Sequence, residues 1–203
     1  MADIAIIDYG LGNIQSVYNA FSLLGADVCV TASREVIENA NKIVLPGVSA
    51  FDDTIRELSS KGLDSIIRKS ISSGKYFLGL CLGLQVLFES SEEGNLPGLS
   101  ILKGNVRKFP KASGFKIPHM GWNTVKFSAD NAIAKGIEQD SFFYFVHSYY
   151  AQSDDLSLIG GRSEYAQVEF ISCVRKDNIF ATQFHPEKSQ DKGLKMIKNF
   201  MEL

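Results

Sequence analysis

The stretch "YFLGLCLGLQVLFES", residues 76–90, opens as an apolar run of strand character and passes into an amphipathic helical pattern. Cys81 stands at the change, with Gly79 two residues before it and Gly83 two after. A Gly-x-Cys-x-Gly step between strand and helix has the form of a nucleophile elbow, where small residues admit a tight turn and leave the nucleophile exposed. The N–H groups opening the next helix favour a thiolate and are placed to donate to a developing oxyanion. A core cysteine in a glycine-punctuated connection is the plainer alternative, although a core residue needs no flanking glycines.

Before this step the chain alternates between two periods. "DIAIID" reads as a first strand, Asn13 as the cap of the helix "IQSVYNAFSLL", and "DVCV" as a second strand. Ser33 caps a short helix, and "KIVL" is a third strand ending at Pro46-Gly47. Ser49, with Asp52 three residues on, forms a variant capping box for "AFDDTIRELSSKG". The helix "LDSIIRKSISS" then leads back to the opening stretch. Strands alternating with helices at this spacing predict an α/β fold, a parallel sheet covered on both faces. Beyond Gly98 short strand-like runs dominate ("NVRKF", "NTVKF", "SFFYFV", "EFISCVRKDNIFATQF") until the closing helix "GLKMIKNFMEL". No repeat or linker divides the 203 residues, so the expectation is a single domain over 1–203 with a β-rich second half.

Composition narrows the function. A net charge of −2 gives no electrostatic case for nucleic acid or a membrane surface. No apolar run approaches the roughly 18 residues of a spanning helix. Cys29, Cys81 and Cys173 are odd in number and lack CxxC spacing, which suits a reducing cytoplasm and excludes a zinc site of that type. The expectation is a soluble cytoplasmic protein with no metal or other cofactor.

A cysteine nucleophile needs a base, and the base an orienting partner. Of the three histidines, His119, His147 and His185, the last stands in "ATQFHPEKS", directly after a strand-like run. Glu187 follows two positions later, and in extended geometry residues i and i+2 face the same way. Cys81, His185 and Glu187 therefore form a candidate nucleophile, base and orienter. "YGLGN" has Gln15 where a dinucleotide fingerprint needs its third glycine, which rejects a nucleotide site. Trp122, in "IPHMGWN", reads either as a turn aromatic packed in the core or as a contact residue.

Together, "GLCLGLQ" and "QFHPEKS" resemble the class I, or triad, glutamine amidotransferases. "IDYGLGN", "LPGVSAF", "IPHMGWN" and "FYFVHSYY" are similar to the glutaminase subunits of imidazole glycerol phosphate synthase, and the likeness runs from residue 4 to the C-terminus. The resemblance implies a flavodoxin-like, mostly parallel central sheet. It implies hydrolysis of glutamine to glutamate and ammonia, with Cys81 as nucleophile, His185 as base and Glu187 as orienter. Oxyanion donors would be the Val48 and Leu82 N–H groups. Glutamine contacts would come from Gly47, Ser49, Gln85 and Glu93, with the backbone of His147, Ser148 and Tyr149. Read without the family, Gln85 is a helical surface residue, and Glu93 belongs to a solvated acidic helix end, "ESSEEG".

The likeness consumes the chain, so the ammonia must be used on another one. The resemblance identifies that partner as a (β/α)8 cyclase subunit, forming a heterodimer and making imidazole glycerol phosphate and aminoimidazole carboxamide ribotide in histidine biosynthesis. Asn13, Pro118, Trp122, Tyr144 and Lys188 would lie near the interface. A paralogous glutaminase serving another synthase, such as one amidinating surface sugars, would carry the same motifs. An independent cysteine hydrolase on the same fold is a further alternative. One position departs from the family loop Pro-Gly-Val-Gly, where this chain has Ser49. A Cβ there resists positive φ and would bias the loop against turning the Val48 N–H toward the oxyanion; otherwise Ser49 only caps the helix beginning at Ala50.

Overall fold

The computed structural model describes residues 2–203, so only residue 1 of the predicted span lies outside the described residues. Four strands, β1 (Ile4–Ile7), β2 (Val28–Thr31), β3 (Lys42–Gly47) and β4 (Tyr76–Cys81), pair in parallel. They are connected by α1 (Ile14–Leu23), α2 (Arg34–Asn39), α3 (Phe51–Ser60) and α4 (Leu63–Ser72). A single turn, α5 (Leu82–Gln85), precedes β5 (Ser90–Ser91), β6 (Asn105–Lys108), β7 (His119–Phe127), β8 (Ser141–His147) and β9 (Tyr149–Gln152). Then follow β10 (Ile159–Tyr165), β11 (Val168–Lys176), β12 (Ile179–Thr182) and the closing α6 (Gln190–Met201).

The main strand order is β2-β1-β3-β4-β12-β11-β10-β7-β8. β12 returns parallel to β4, so the first five strands in this order are parallel, and from β11 onward neighbours are antiparallel. The expected α/β fold, its parallel sheet and its β-rich second half are all present. Because strand side chains alternate, one sequence supplies two cores. Ala5, Ile7, Ile43, Leu45 and Phe77 pack with Ile37, Phe51, Leu58 and Ile67 of α2, α3 and α4. Ile4, Ile6, Val44, Leu78 and Leu80 pack with Phe21 of α1 and Ile197 and Phe200 of α6. Each of the larger of these side chains contributes about 1.5–3 kcal/mol by leaving water. No helix among the described residues is long and apolar enough to cross a membrane.

The local caps differ from expectation. Ser33 does cap α2, accepting from the Val36 N–H at 3.4 Å. Asn13 makes no capping bond; its Oδ1 accepts from the Ser16 hydroxyl at 2.9 Å. The Ser49–Asp52 capping box does not form, and Ala50 is the residue before α3. Instead Glu93, brought from 42 residues away, accepts from the Phe51 N–H at 3.0 Å. With a distant carboxylate on the helix end, Ser49 is free to pair with the Thr54 hydroxyl at 2.8 Å, and Asp52 accepts from the Asn95 and Leu96 N–H groups.

The helix after Cys81 is also shorter than its pattern. Val86 and Phe88 turn their carbonyls to the N–H groups of Leu99 and Ser100, and Ser90–Ser91 pairs with β6, so "ESSEEG" is not a helix end. "IPHMGWN" is mainly strand, because β7 begins at His119 and runs in register with β8 from His119↔His147 onward.

Candidate active site

The carboxyl ends of β3, β4 and β12 meet side by side, where ligands bind in open α/β sheets. Gly47 of β3 is the direct neighbour of Cys81 of β4, and β12 runs beside β4 and delivers the segment Gln183–Glu187. Cys81 has φ 52° and ψ −102°, a conformation costing a non-glycine residue about 1–3 kcal/mol. The two glycines make it possible by space. A Cβ on Gly79 would lie 2.4 Å from the Gly83 carbonyl oxygen, and one on Gly83 would lie 2.0 Å from that of Leu45. The elbow read from the sequence is therefore present, but the turn that follows is too short to act as a helix dipole.

Gly47, fully inside, lets β3 approach this elbow, since a Cβ on it would stand 2.8 Å from Leu82 Cβ. The Cys81 sulfur accepts from Gln183 Nε2 at 3.6 Å and lies 3.9 Å from the Val146 carbonyl oxygen. Gln183 did not emerge from the sequence as a site residue. Its signal was its place two residues before His185 on an extended segment, which sends both side chains the same way.

His185 donates from Nδ1 to Glu187 Oε1 at 2.8 Å, with both side chains almost wholly buried. Its backbone N–H is held by the Tyr144 carbonyl at 2.9 Å. Among the described residues Nε2 has no partner at hydrogen-bonding geometry, and the Cys81 sulfur is close enough to act on it. Burial opposes protonation of this imidazole, but the sulfur of Cys81 and then the carboxylate of Glu187 outweigh it and raise its pKa to about 10.

In front of Cys81 opens a cavity of about 350 Å³. Its walls include Val48, Ser49, Leu82, Gln85, Glu93, His147, Ser148 and Tyr149, with Asn13, Pro118 and Lys188 also bordering it. His185 and Glu187 lie buried behind it. Trp122 and Tyr144 stand outside it with their rings 6.0 Å apart, and Trp122 is 47% exposed and so is not a core aromatic.

Gln85 is buried rather than on a helix surface, and its amide donates to the Tyr149 carbonyl at 3.1 Å and to Gln183 Oε1 at 3.0 Å. Both of its donors are thus committed within the protein. Glu93 is partly buried; burial holds its carboxyl above the ordinary range, opposed by the Phe51 N–H and assisted by Asp52 and Asp53. Neither Val48 nor Ser49 has a positive φ, so the Ser49 Cβ is unstrained in this conformation.

The family model "Glutamine amidotransferase class-I" matches residues 5–203, and the chain belongs to that class. The fold is similar to that of PurLQS from Thermotoga maritima, with a TM-score of 0.76 and 19% identity over 100% of this chain and 99% of that one. It is also similar to the glutaminase domain of Trypanosoma brucei CTPS with bound acivicin, with a TM-score of 0.70 and 16% identity over 100% and 94% of the two chains. Sequence relatives define the branch: "Imidazole glycerol phosphate synthase subunit HisH 2" of Methanococcus maripaludis is 46% identical over 200 residues, 98% of each chain. The HisH subunit of Moorella thermoacetica is 47% identical over 204 residues, 100% of this chain and 96% of that one. Within its class, the chain belongs to the HisH family of imidazole glycerol phosphate synthase subunits.

Proposed function

We propose that this chain hydrolyses glutamine by a Cys81–His185–Glu187 triad and passes the ammonia to a cyclase subunit bound as its partner in a heterodimer. The observation that carries this reading is the buried imidazole of His185. Glu187 fixes its Nδ1–H, and its partnerless Nε2 stands by a cysteine held on a strained elbow at the cavity. The raised pKa of His185 draws the thiol proton onto Nε2 before the attack, and Cys81 Sγ then bonds to the glutamine side-chain carbonyl carbon as the carbonyl π electrons move to its oxygen. The resulting oxyanion is met by the N–H groups of Leu82 and Val48. Collapse breaks the C–N bond, and the proton held on Nε2 leaves with ammonia. Water, deprotonated by the same nitrogen, then cleaves the thioester to glutamate and restores the thiol.

Because α5 is a single turn, oxyanion stabilisation rests on these individual donors and not on a helix dipole. Ser148, Tyr149 and Glu93 border the space for the amino-acid end of glutamine, and the Gln85 amide braces the Tyr149 carbonyl. Lys188, Pro118 and Asn13 border the cavity, and Pro118 directly precedes the strand that carries the exposed Trp122, which supports placing the partner at this opening. The reaction requires no cofactor.

Replacement of Cys81 by alanine is expected to abolish glutaminase activity while ammonium-supported synthesis by the complex persists. Glu187→Gln should retain more activity than His185→Ala, because general-base catalysis contributes about 10²–10⁴-fold whereas loss of the orienter leaves the base in place. Steady-state glutamate release, with co-purification of the cyclase subunit in a one-to-one complex, checks both. An alanine variant that still hydrolyses glutamine would remove the triad assignment.

A further inference from the structure

The motif "IPHMGWN" supplies two buried or half-buried polar side chains, His119 and Asn123, that the chemistry above does not use. His119 lies opposite His147 across the β7–β8 pair, and its Nδ1 is 2.9 Å from His147 Nε2, with both rings buried. The direction of the bonds is fixed independently from each end. At one end, His147 Nδ1 is 2.7 Å from the Tyr149 carbonyl oxygen, which only accepts, so Nδ1 carries the hydrogen and Nε2 must accept. At the other end, the Asn123 amide is oriented by two backbone partners: Oδ1 accepts from the Thr124 N–H at 2.8 Å, and Nδ2 donates to the Glu164 carbonyl at 2.9 Å. The same Nδ2 is 3.4 Å from His119 Nε2, so that nitrogen accepts and Nδ1 donates. Both ends give one chain of neutral donors, running from Asn123 through His119 and His147 to the Tyr149 carbonyl.

That carbonyl is also the acceptor for Gln85, so two buried side chains from different elements converge on one backbone group at the cavity wall. The His119 ring is clamped by near-parallel rings, Tyr165 at 3.8 Å and Phe145 at 4.9 Å between centroids. We propose that His119 and Asn123 are positioning residues for the glutamine site: they hold His147 as an Nδ1–H donor, and His147 in turn holds the backbone of residues 147–149 against the cavity. This rests on the glutaminase reading. Burial depresses both imidazoles, His119 to about 4 and His147 to about 3, so the donor pattern persists unchanged at neutral pH.

Nitrogen-15 NMR of the imidazoles in the full chain at neutral pH should find both His119 and His147 as Nδ1–H tautomers. An Nε2–H tautomer at either ring would overturn the chain of bonds, whatever the activity. In the complex with its partner, His119→Leu should raise KM for glutamine about tenfold with kcat within about threefold, as loss of one buried hydrogen bond predicts. His119→Asn places an amide N–H where Nδ1–H stood and should return KM to within about threefold of the parent. An unchanged KM in His119→Leu overturns the positioning role. The tautomer measurement needs no turnover, so inactivity of the parent protein would fault the glutaminase reading and not these bonds.

Discussion

Ser49 sits at the cavity wall, and one hydroxyl decides what it does. Its Oγ meets Thr54 Oγ1 at 2.8 Å, and Thr54 is 1% exposed, so water cannot replace Ser49 as the partner of the threonine. The loop Gly47–Ser49 is thereby tied to the first turns of α3, a role distinct from capping the helix. A buried hydrogen bond adds about 1 kcal/mol net, and leaving one member unpaired costs about 1–3 kcal/mol. Ser49→Ala should therefore destabilise the fold on its own, whereas adding it to Thr54→Val should cost little more. The expected coupling in urea unfolding is about 1 kcal/mol. A coupling near zero would mean that the hydroxyl pair adds nothing to the fold.

The elbow works as one element made of β4, α5 and the β3 strand beside it. Its tolerance is set by distance, because the Gly83 Cα stands against the backbone of Leu45 rather than against a side chain that could swing away. Gly83→Ala should push β3 and the elbow apart, costing about 1–3 kcal/mol as overpacking does, and should lower glutaminase activity although Cys81 remains. Gly74 differs: nothing lies within 4 Å of its Cβ position, and only its φ of +88° disfavours alanine. Gly74→Ala should cost about 1 kcal/mol by backbone strain and leave activity intact. Urea midpoints and glutamate release for the two variants separate space from conformation.

This elbow was legible in the sequence because its cause is local: glycines at fixed offsets and a strand-like run before them. The His185–Glu187 pair was legible from its spacing, but not for the reason expected: Pro186–Lys188 forms a 3-10 turn with His185 at its cap, and this turn, not an extended i, i+2 period, brings the carboxylate back to the imidazole. The length of α5 was not, since the chain is bent there by Leu99 and Ser100, more than ten residues on. β10, "IGGRSEY", carries two glycines and two charges, and becomes a strand only because β7 and β11 flank it. Glu93 on the end of α3, Gln183 on the sulfur and His119 on His147 are contacts that only the assembled sheet creates.

For the whole molecule, buried histidines set how the fold responds to acid. His119 and His147 are held down, to about 4 and about 3, chiefly by burial, whereas His185 is held up to about 10, as Cys81 and Glu187 outweigh its burial. In the unfolded chain all three titrate near 6.5. Below that value the unfolded state binds protons that His119 and His147 refuse in the fold, so stability falls as pH drops from about 6.5 toward 4. His185 is protonated in both states there and adds nothing to that loss. Above 6.5 the raised pKa of His185 depends on the charge of Cys81, and a proton that passes from the thiol to the imidazole leaves the total bound by the pair unchanged, so the pair adds no slope of its own there. Each proton of difference changes stability by about 1.4 kcal/mol per pH unit at the limiting slope. The carboxylates also titrate in acid, but they are common to parent and variant, so their effect cancels in a comparison. Urea unfolding between pH 6.5 and 4.5 should therefore show the stability of His119→Asn falling less steeply than that of the parent, by up to one proton. Equal slopes would mean that His119 takes up its proton inside the fold, and that the buried pair opens in acid before the molecule does.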